Sequence, residues 1–145
     1  MAVEIKNKKA NYQYFLGDEY TAGLQLTGTE IKSIRNSKAS IVEAYCRFSK
    51  SELLVYNMYI AEYDNGGYTN HDPRRPRTLL LNKSELSKLK KEMKNVGQTI
   101  VPVLLFISPS GYAKLKIAVA KGKKMYDKRD DLKQKDLKRQ IDRES

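Results

Sequence analysis

Apolar and polar residues alternate along much of the first 120 positions, which is the pattern of strands that bury one side. The alternation predicts strands over residues 14–26, 44–49, 53–60, 79–81, 98–107 and 112–120. In the last of these strands Lys114 and Lys116 share the polar side, so we expect one buried face and one basic, solvated face. Short turns separate successive strands and favour antiparallel hairpins.

Two segments follow a helical period instead. Residues 28–36 place Ile31 and Ile34 three positions apart, after a threonine that can cap the first turn. The second predicted helix begins after Asn82, and Glu85 three positions later completes a capping box. Its predicted apolar stripe, which we expect to pack on the strands, consists of Leu86, Leu89, Met93 and Val96.

About six short strands with two inserted helices predict a mainly β fold, and we expect an OB-like antiparallel β-barrel over residues 12–120. Residues 1–11 are polar and basic without periodicity, so they predict a basic N-terminal arm that orders only against a partner. Residues 121–145 hold ten basic and six acidic residues with few apolar ones. We expect this basic C-terminal tail to be disordered alone and helical when bound.

The net charge narrows the classes of partner. The chain of 145 residues carries 28 Lys and Arg against 17 Asp and Glu, and a surplus of +11 favours polyanions. The longest apolar run, 100–107, contains Pro102 and is too short to span a bilayer. The N-terminal residues lack an apolar export segment. We therefore expect a cytoplasmic protein that binds nucleic acid and no membrane.

The sequence predicts neither metal nor catalytic chemistry. Cys46 is the only cysteine and has no metal-ligand pattern around it, so we expect a buried side chain, no metal and no cofactor. His71 beside Asp72 is a candidate general base, but no second histidine or nucleophile motif accompanies it. We expect a binding protein and not an enzyme. Three arginines favour a functional role for the loop over residues 61–77.

Several motifs occur along the chain in this order: Asn7-Lys8-Lys9-Ala10, Tyr14-Phe15, Ala22-Gly23-Leu24, Gly28-Thr29-Glu30-Ile31-Lys32-Ser33-Ile34-Arg35, Asp72-Pro73, Leu79-Leu80-Leu81-Asn82, Val119-Ala120-Lys121-Gly122-Lys123-Lys124 and Asp127-Lys128-Arg129. Together they resemble the SsrA-binding protein (SmpB) family of bacterial trans-translation. The resemblance implies an OB-type barrel that binds the tRNA-like domain of transfer-messenger RNA. It further implies delivery of that RNA to stalled ribosomes, in complex with the elongation factor that carries aminoacyl-tRNA.

The resemblance also implies particular contacts. The predicted RNA-binding residues of the barrel and arm are Asn7, Lys8, Lys9, Thr21, Lys32, Arg35, Leu80 and Asn82. For Asn82 an N-cap role and RNA contact both stay open, and the family commonly has glutamate where this chain has Thr21. The tail would enter the empty decoding site and mRNA channel, where its cations meet ribosomal phosphates and Tyr126 stacks on a base. The tail residues concerned are Gly122, Lys123, Lys124, Tyr126, Asp127, Lys128 and Arg129.

Two other functions stay open. A generic barrel for single-stranded RNA would explain the charge and the fold, but it would not need the fixed spacing of the tail motifs. Comparing the affinity for a folded tRNA-like hairpin with the affinity for an unstructured oligonucleotide separates this generic function from binding of transfer-messenger RNA. A small RNase centred on His71 would lose its activity in a His71→Ala variant.

Overall fold

The computed structural model describes residues 3–63 and 70–123, which form a mainly β structure with three short helices. The helices are α1 (Ala10–Gln13), α2 (Gly28–Arg35) and α3 (Lys83–Glu92). The strands are β1 (Glu4–Lys6), β2 (Tyr14–Leu24), β3 (Ala39–Ser40), β4 (Tyr45–Ser49), β5 (Glu52–Tyr56), β6 (Tyr59–Ile60), β7 (Arg77–Leu80), β8 (Gln98–Ile107) and β9 (Ala113–Gly122). The prediction of a mainly β fold with inserted helices is confirmed.

The larger sheet closes on itself. Its strands are hydrogen-bonded in the order β1-β8-β4-β5-β7-β2-β9, and β9 also pairs with β8 along most of its length. The strands from β8 to β9 therefore form a six-membered ring in which all neighbours are antiparallel. Closure pairs the edges that an open sheet would leave free. The predicted antiparallel barrel matches this ring.

The hydrophobic core lies inside the ring because each strand turns alternate side chains inward. In β9, Leu115 and Ile117 are buried while Lys114 and Lys116 remain partly exposed, as the alternation predicts. Cys46 is a free thiol buried in the same core, and burial raises its pKa well above the ordinary value. Core residues from the other elements include Ile34, Leu53, Val55, Leu79, Leu89 and Ile100.

Both predicted helices begin at capping boxes. The Thr27 hydroxyl accepts a hydrogen bond from the Glu30 backbone N–H at the start of α2. At the start of α3, the Asn82 Oδ1 accepts from the Glu85 backbone N–H at 2.9 Å, and the Glu85 carboxylate accepts from the Asn82 N–H. The predicted place of Val96 in the packed stripe is wrong. It is 88% exposed because α3 ends four residues before it.

The N-terminal segment differs from the predicted arm. Glu4–Lys6 pairs antiparallel with β8, so that Ile5 lies opposite Leu105. The helix α1 follows within four residues and buries Ala10. A strand of three residues is too short for its alternation to be recognised in the sequence. All three residues of β1 pair with the much longer strand β8. The first residues that the structure describes therefore belong to the sheet.

Two strand boundaries also differ from the prediction. The predicted strand over residues 53–60 is broken at Asn57, whose φ of 60° is a left-handed conformation that asparagine tolerates better than most residues. After this break β6 pairs with β3 in a separate two-stranded sheet. At the other boundary β9 continues to Gly122, two residues into the predicted tail. Residues 124–145, with the predicted helix of the tail, lie outside the described residues.

Candidate nucleic-acid interface

Strand β9 carries the lysines of the predicted basic face, and its neighbour β2 lies beside them. Thr21 lies opposite Lys116 and Gly23 opposite Lys114 in the antiparallel register. The Lys116 ammonium is 3.8 Å from the Glu19 carboxylate, and such an exposed ion pair contributes little to stability. The structure thus places exposed Thr21 beside lysines on the outer side of these two strands, hereafter the β2–β9 surface.

The end of β7 adds an apolar and a polar residue to the β2–β9 surface. Leu80 pairs with Gly23 and is 50% exposed. A Cβ on Gly23 would lie 3.4 Å from the Leu80 Cβ, an ordinary contact distance, so Leu80 lies directly beside Gly23 on this surface. Asn82 follows at the N-cap of α3, where its Oδ1 is used by the cap. Its Nδ2 amino group is therefore the part that can contact a ligand.

The two cations of α2 lie in different surroundings. The Arg35 guanidinium is 3.9 Å from the Cβ position of Gly111, in the turn between β8 and β9. It is therefore at the same end of β9 as Lys114. The Lys32 ammonium lies 5.3 Å from the centroid of the Tyr63 ring, a cation–π distance. The structure brings Arg35 towards the β2–β9 surface and places Lys32 against the start of a loop.

The opposite end of the β2–β9 surface is the point where the tail leaves the barrel. Gly122 pairs with Tyr14, and Lys121 pairs with Phe15. The Lys123 ammonium lies 5.1 Å from the centroid of the half-exposed Phe15 ring. The register of β2 and β9, which cannot be read from either strand alone, adds Phe15 and Lys121 to this end of the β2–β9 surface. The remaining predicted tail contacts, from Lys124 to Arg129, lie outside the described residues.

The Asn7-Lys8-Lys9 motif divides between the interior and the surface. Lys8 and Lys9 are exposed immediately before α1. Asn7 is buried, and its Nδ2 donates hydrogen bonds to the carbonyl of Pro102 at 2.9 Å and that of Ile41 at 3.4 Å. The structure therefore places Asn7 inside the barrel wall, where its amide joins two segments of the fold, instead of on the surface with its two neighbours.

Two of the three loop arginines pair with a buried carboxylate. The Arg75 Nη2 lies 2.6 Å from the Glu30 Oε1, and the Arg77 Nε donates to the other carboxylate oxygen. Arg77 and Glu30 are fully buried. Burial alone would raise the pKa of Glu30, but hydrogen bonds from Arg75, the Thr27 backbone N–H and Arg77 lower it below its ordinary value. These arginines consequently hold the loop against α2.

The geometry leaves His71 no catalytic role. The ring is buried, and its Nε2 donates a hydrogen bond to the Ile60 carbonyl at 2.9 Å. Its Nδ1 therefore accepts the hydrogen bond from the Thr29 hydroxyl, also at 2.9 Å. Both nitrogens are occupied by the fold, so the ring cannot take a proton from a substrate hydroxyl. The RNase hypothesis loses the general base on which it depends.

Carboxylates interrupt the positive charge where α3 meets β2. The Tyr20 hydroxyl donates a hydrogen bond of 3.4 Å to the Glu92 Oε1. Partial burial and the neighbouring Asp18 raise the pKa of Glu92 above its ordinary value. Burial and the charge of Glu92 also raise the pKa of Tyr20. Tyr20, Glu92 and Asp18 therefore form a cluster with acidic groups at the junction of α3 and β2.

Neither a membrane-spanning helix nor a metal cluster occurs in the part of the chain that the structure describes. Within residues 3–63 and 70–123, no helix is long and apolar enough to cross a bilayer. The same residues contain no cluster of three His, Cys, Asp or Glu side chains that could hold a metal ion.

A closed antiparallel ring with lysines along the outer side of β9 defines a small basic β-barrel of the kind that binds nucleic acids. A family model described as SmpB protein matches residues 4–145. The chain belongs to the SmpB family.

Curated relatives resemble the chain over nearly its full length. An SsrA-binding protein of Phocaeicola vulgatus is 60% identical over 141 residues, which cover 97% of this chain and 94% of the relative. The SsrA-binding protein of Bacteroides thetaiotaomicron is 58% identical, with 98% and 95% covered. That of Enterococcus hirae is 51% identical, with 95% and 89% covered.

A solved structure resembles the fold as well. Its description is "tmRNA-SmpB: a journey to the center of the bacterial ribosome". The match has a TM-score of 0.71 and 40% identity, and it covers 83% of this chain and 84% of the other. The likeness in three dimensions therefore agrees with the likeness in sequence.

Proposed function

We propose that this protein binds the tRNA-like domain of transfer-messenger RNA through its barrel and brings that RNA to stalled ribosomes for trans-translation. The observation that carries the proposal is the 60% identity to an SsrA-binding protein over 97% of the chain. The β2–β9 surface supports it, because lysines beside exposed Thr21 and Leu80 offer both phosphate and base contacts.

The proposed RNA contacts fall at the two ends of the β2–β9 surface. At the tail exit, Lys8 and Lys9 neutralise phosphates. At the other end, the exposed side chains of Thr21, Leu80 and Asn82 meet unpaired bases of a folded RNA, because sequence-specific contacts to RNA are made mostly where bases are unstacked. Arg35 and Lys32 extend the positive field along α2.

In the proposed mechanism the tail occupies the empty decoding site and the mRNA channel. Lys123 starts this path against Phe15. The residues that continue it are Lys124, Tyr126, Asp127, Lys128 and Arg129. The elongation factor that carries aminoacyl-tRNA would bind the RNA in the same complex, and the protein works in the cytoplasm. No catalytic group of its own is required, since the barrel and tail act by positioning the RNA.

A truncation after Lys123 tests this division of labour. The cut keeps Lys121 and Gly122, which pair with β2, and Lys123, which contacts Phe15. We expect the truncated protein to bind the tRNA-like RNA with nearly full affinity and to fail in peptide tagging on stalled ribosomes. Loss of RNA binding, or tagging at the full rate, would contradict the proposal.

The matched control uses the full-length chain with the Lys8→Ala and Lys9→Ala substitutions. This variant keeps the tail and should lose RNA affinity, so the two defects are separated. Affinity for an unstructured oligonucleotide, measured in parallel, distinguishes a binder of folded RNA from a generic single-strand binder. Equal affinity for the two RNAs through the β2–β9 surface would favour the generic function.

A further inference from the structure

A second exposed surface lies on the other side of the ring from the β2–β9 surface. In the order of the strands, β4 and β5 are separated from β2 and β9 by β7 in one direction and by β8 in the other. An RNA bound to β2 and β9 therefore leaves the outer side of β4 and β5 open. This second side carries tyrosines and arginines, although a sheet face that only contacts water does not require aromatic side chains.

Tyrosines and an arginine form the first part of this side. Tyr45 of β4 lies opposite Tyr56 of β5, and the two rings stack with centroids 5.6 Å apart and planes 16° apart. The Arg47 guanidinium lies 5.9 Å from the centroid of Tyr56. Tyr45 and Arg47 are exposed. The planar side chains are therefore held in a stacked arrangement, and a further planar group can stack on it.

A second tyrosine–arginine pair lies beyond Asn57. The Arg74 guanidinium is 5.3 Å from the centroid of the exposed Tyr59 ring. The left-handed Asn57 fixes this pair, because its Oδ1 accepts from the Arg74 Nη1 at 2.8 Å and its Nδ2 donates to the Glu43 carbonyl at 3.1 Å. A cleft of about 120 Å³ lies here, lined by Ser40, Glu43, Asn57, Tyr59 and Arg74.

We propose that Tyr45, Arg47, Tyr56, Tyr59 and Arg74 form a second RNA site, the β4–β6 surface, which takes unpaired bases of a single strand. Bases of any sequence stack on aromatic rings, and an arginine beside a ring holds the adjoining phosphate. The chain carries a net charge of +11, which favours RNA, a polyanion, as the partner over a protein with an acidic or neutral surface. Glu43 is the carboxylate in the cleft, and it can accept from a base amino group.

The site extends the proposed function, since one protein could then hold a folded RNA and a single strand together. The test uses the full chain saturated with the tRNA-like RNA and a short, labelled, unstructured RNA oligonucleotide followed by fluorescence anisotropy. We expect the oligonucleotide to bind this complex. The Tyr45→Ala and Arg74→Ala variants should bind it at least about fivefold more weakly. Their affinity for the tRNA-like RNA should not change.

Controls separate stacking from net charge. Tyr45→Phe keeps the ring and should bind the oligonucleotide like the unmodified protein, while Lys94→Ala removes one exposed positive charge outside the β4–β6 surface. Failure of the oligonucleotide to bind the RNA-saturated protein, or unchanged binding by Tyr45→Ala, would overturn the second site. An equal loss in Lys94→Ala would also overturn it, because charge alone would then explain binding. Loss of tRNA-like RNA binding in the unmodified protein would count against the proposed function instead.

Discussion

Glu30 is a buried carboxylate that joins segments of the interior that are distant in sequence. It lies at the start of α2 and receives Arg75 and Arg77 from segments 45 and 47 positions away. Arg77 also donates to the Met58 carbonyl at 2.6 Å, so the network joins α2, β7 and the segment between β5 and β6. A buried charge is tolerated only when it is paired and hydrogen-bonded, and here one carboxylate pairs with two guanidinium groups that also donate to backbone carbonyls.

The first prediction concerns Glu30→Gln. The variant leaves the fully buried Arg77 guanidinium without its counter-charge. We expect the free energy of unfolding to fall by about 3–5 kcal/mol, the usual effect of breaking a buried ion pair. Urea denaturation measures the loss. Glu62→Gln, which removes an exposed carboxylate, is the control, and an equal effect of the two substitutions would contradict the prediction.

The second prediction concerns pH. The pKa of Glu30 is lower in the folded protein than in the unfolded chain, so its ion pairs contribute their full stability above the unfolded pKa of about 4.3. This contribution is lost as the pH falls from there through the folded pKa. The gap in unfolding free energy between the unmodified protein and Glu30→Gln should therefore narrow as the solution is acidified.

Urea midpoints of both proteins at a series of pH values between about 7 and 3 provide the measurement. Comparing the two proteins cancels the opposite contribution of Glu92, whose raised pKa favours the folded state in acid. A gap that stays constant or widens in acid would show that Glu30 is not ionised and paired as the geometry indicates.

At the residue scale, an interaction is predictable from the sequence when its partners lie close together along the chain, and it is not when they lie far apart. The Asn82–Glu85 cap is predictable because its two members lie three positions apart. From the sequence, the three arginines of the loop suggest a functional role. Two of them instead pair with Glu30, and no residue near them along the chain indicates this pairing. Asn7 resembles a surface contact for the same reason, because its amide partners lie 34 and 95 positions away.

At the element scale α3 joins a structural role to a proposed contact. Its N-cap Asn82 holds the first turn and lies two residues beyond Leu80 of the β2–β9 surface. The helix therefore orients the end of β7 on which the proposed base contacts depend. A change at Asn82 can act through the cap or through RNA, and a substitution that keeps the cap separates these effects.

The third prediction compares Asn82→Ala with Asn82→Ser. Alanine removes the cap and should cost about 1 kcal/mol of stability, whereas serine is also a good N-cap and should cost little. Thermal or urea denaturation measures the difference. If Asn82 contacts RNA, both variants should lose affinity for the tRNA-like RNA. Full affinity of Asn82→Ser would show that the residue acts only as a cap.

The elements that the sequence predicted well are long and locally punctuated. The β4–β5 hairpin has its predicted antiparallel pairing, and β8 and β9 enclose the predicted turn. The short elements β1, β3 and α1 escaped prediction, because they have two to four residues and no measurable period. The strands β1 and β3 pair with β8 and β6, which are distant in sequence, so these pairings cannot be read locally.

The distribution of charge over the whole molecule favours the barrel as the main RNA binder. Residues 124–145 contain eight basic and six acidic residues, so the first 123 residues keep +9 of the net +11. A tail with so small a net charge adds little to long-range attraction. Its cations act through their positions, whereas the barrel supplies most of the field that attracts RNA.

The fourth prediction follows from this distribution. The chain cut after Lys123 and the full chain should show nearly the same slope of log affinity for the tRNA-like RNA against log salt concentration. The Lys8→Ala, Lys9→Ala double variant should have a shallower slope, by roughly 0.7–0.9 for each phosphate that the protein no longer neutralises. Binding measured at several salt concentrations tests both. A much shallower slope for the truncated chain would place phosphate contacts in the tail.

The closure of the ring was the part of the whole fold that the sequence left open. Strand number and antiparallel hairpins predicted a barrel, but closure depends on β9 pairing with β2, and these two strands are about 100 positions apart along the chain. Such pairings are selected by the shared core and leave no local pattern.

The two ladders of β9 have a mechanical consequence for the tail. Near its end β9 is hydrogen-bonded on both edges, since Gly122 pairs with Tyr14 and Lys121 pairs with Gln98. A pull on the tail that is directed along β9 would act across bonds that run perpendicular to the strand. The bonds are then loaded in shear and must break together instead of peeling apart one at a time. The barrel can serve as a firm anchor while the tail is under tension.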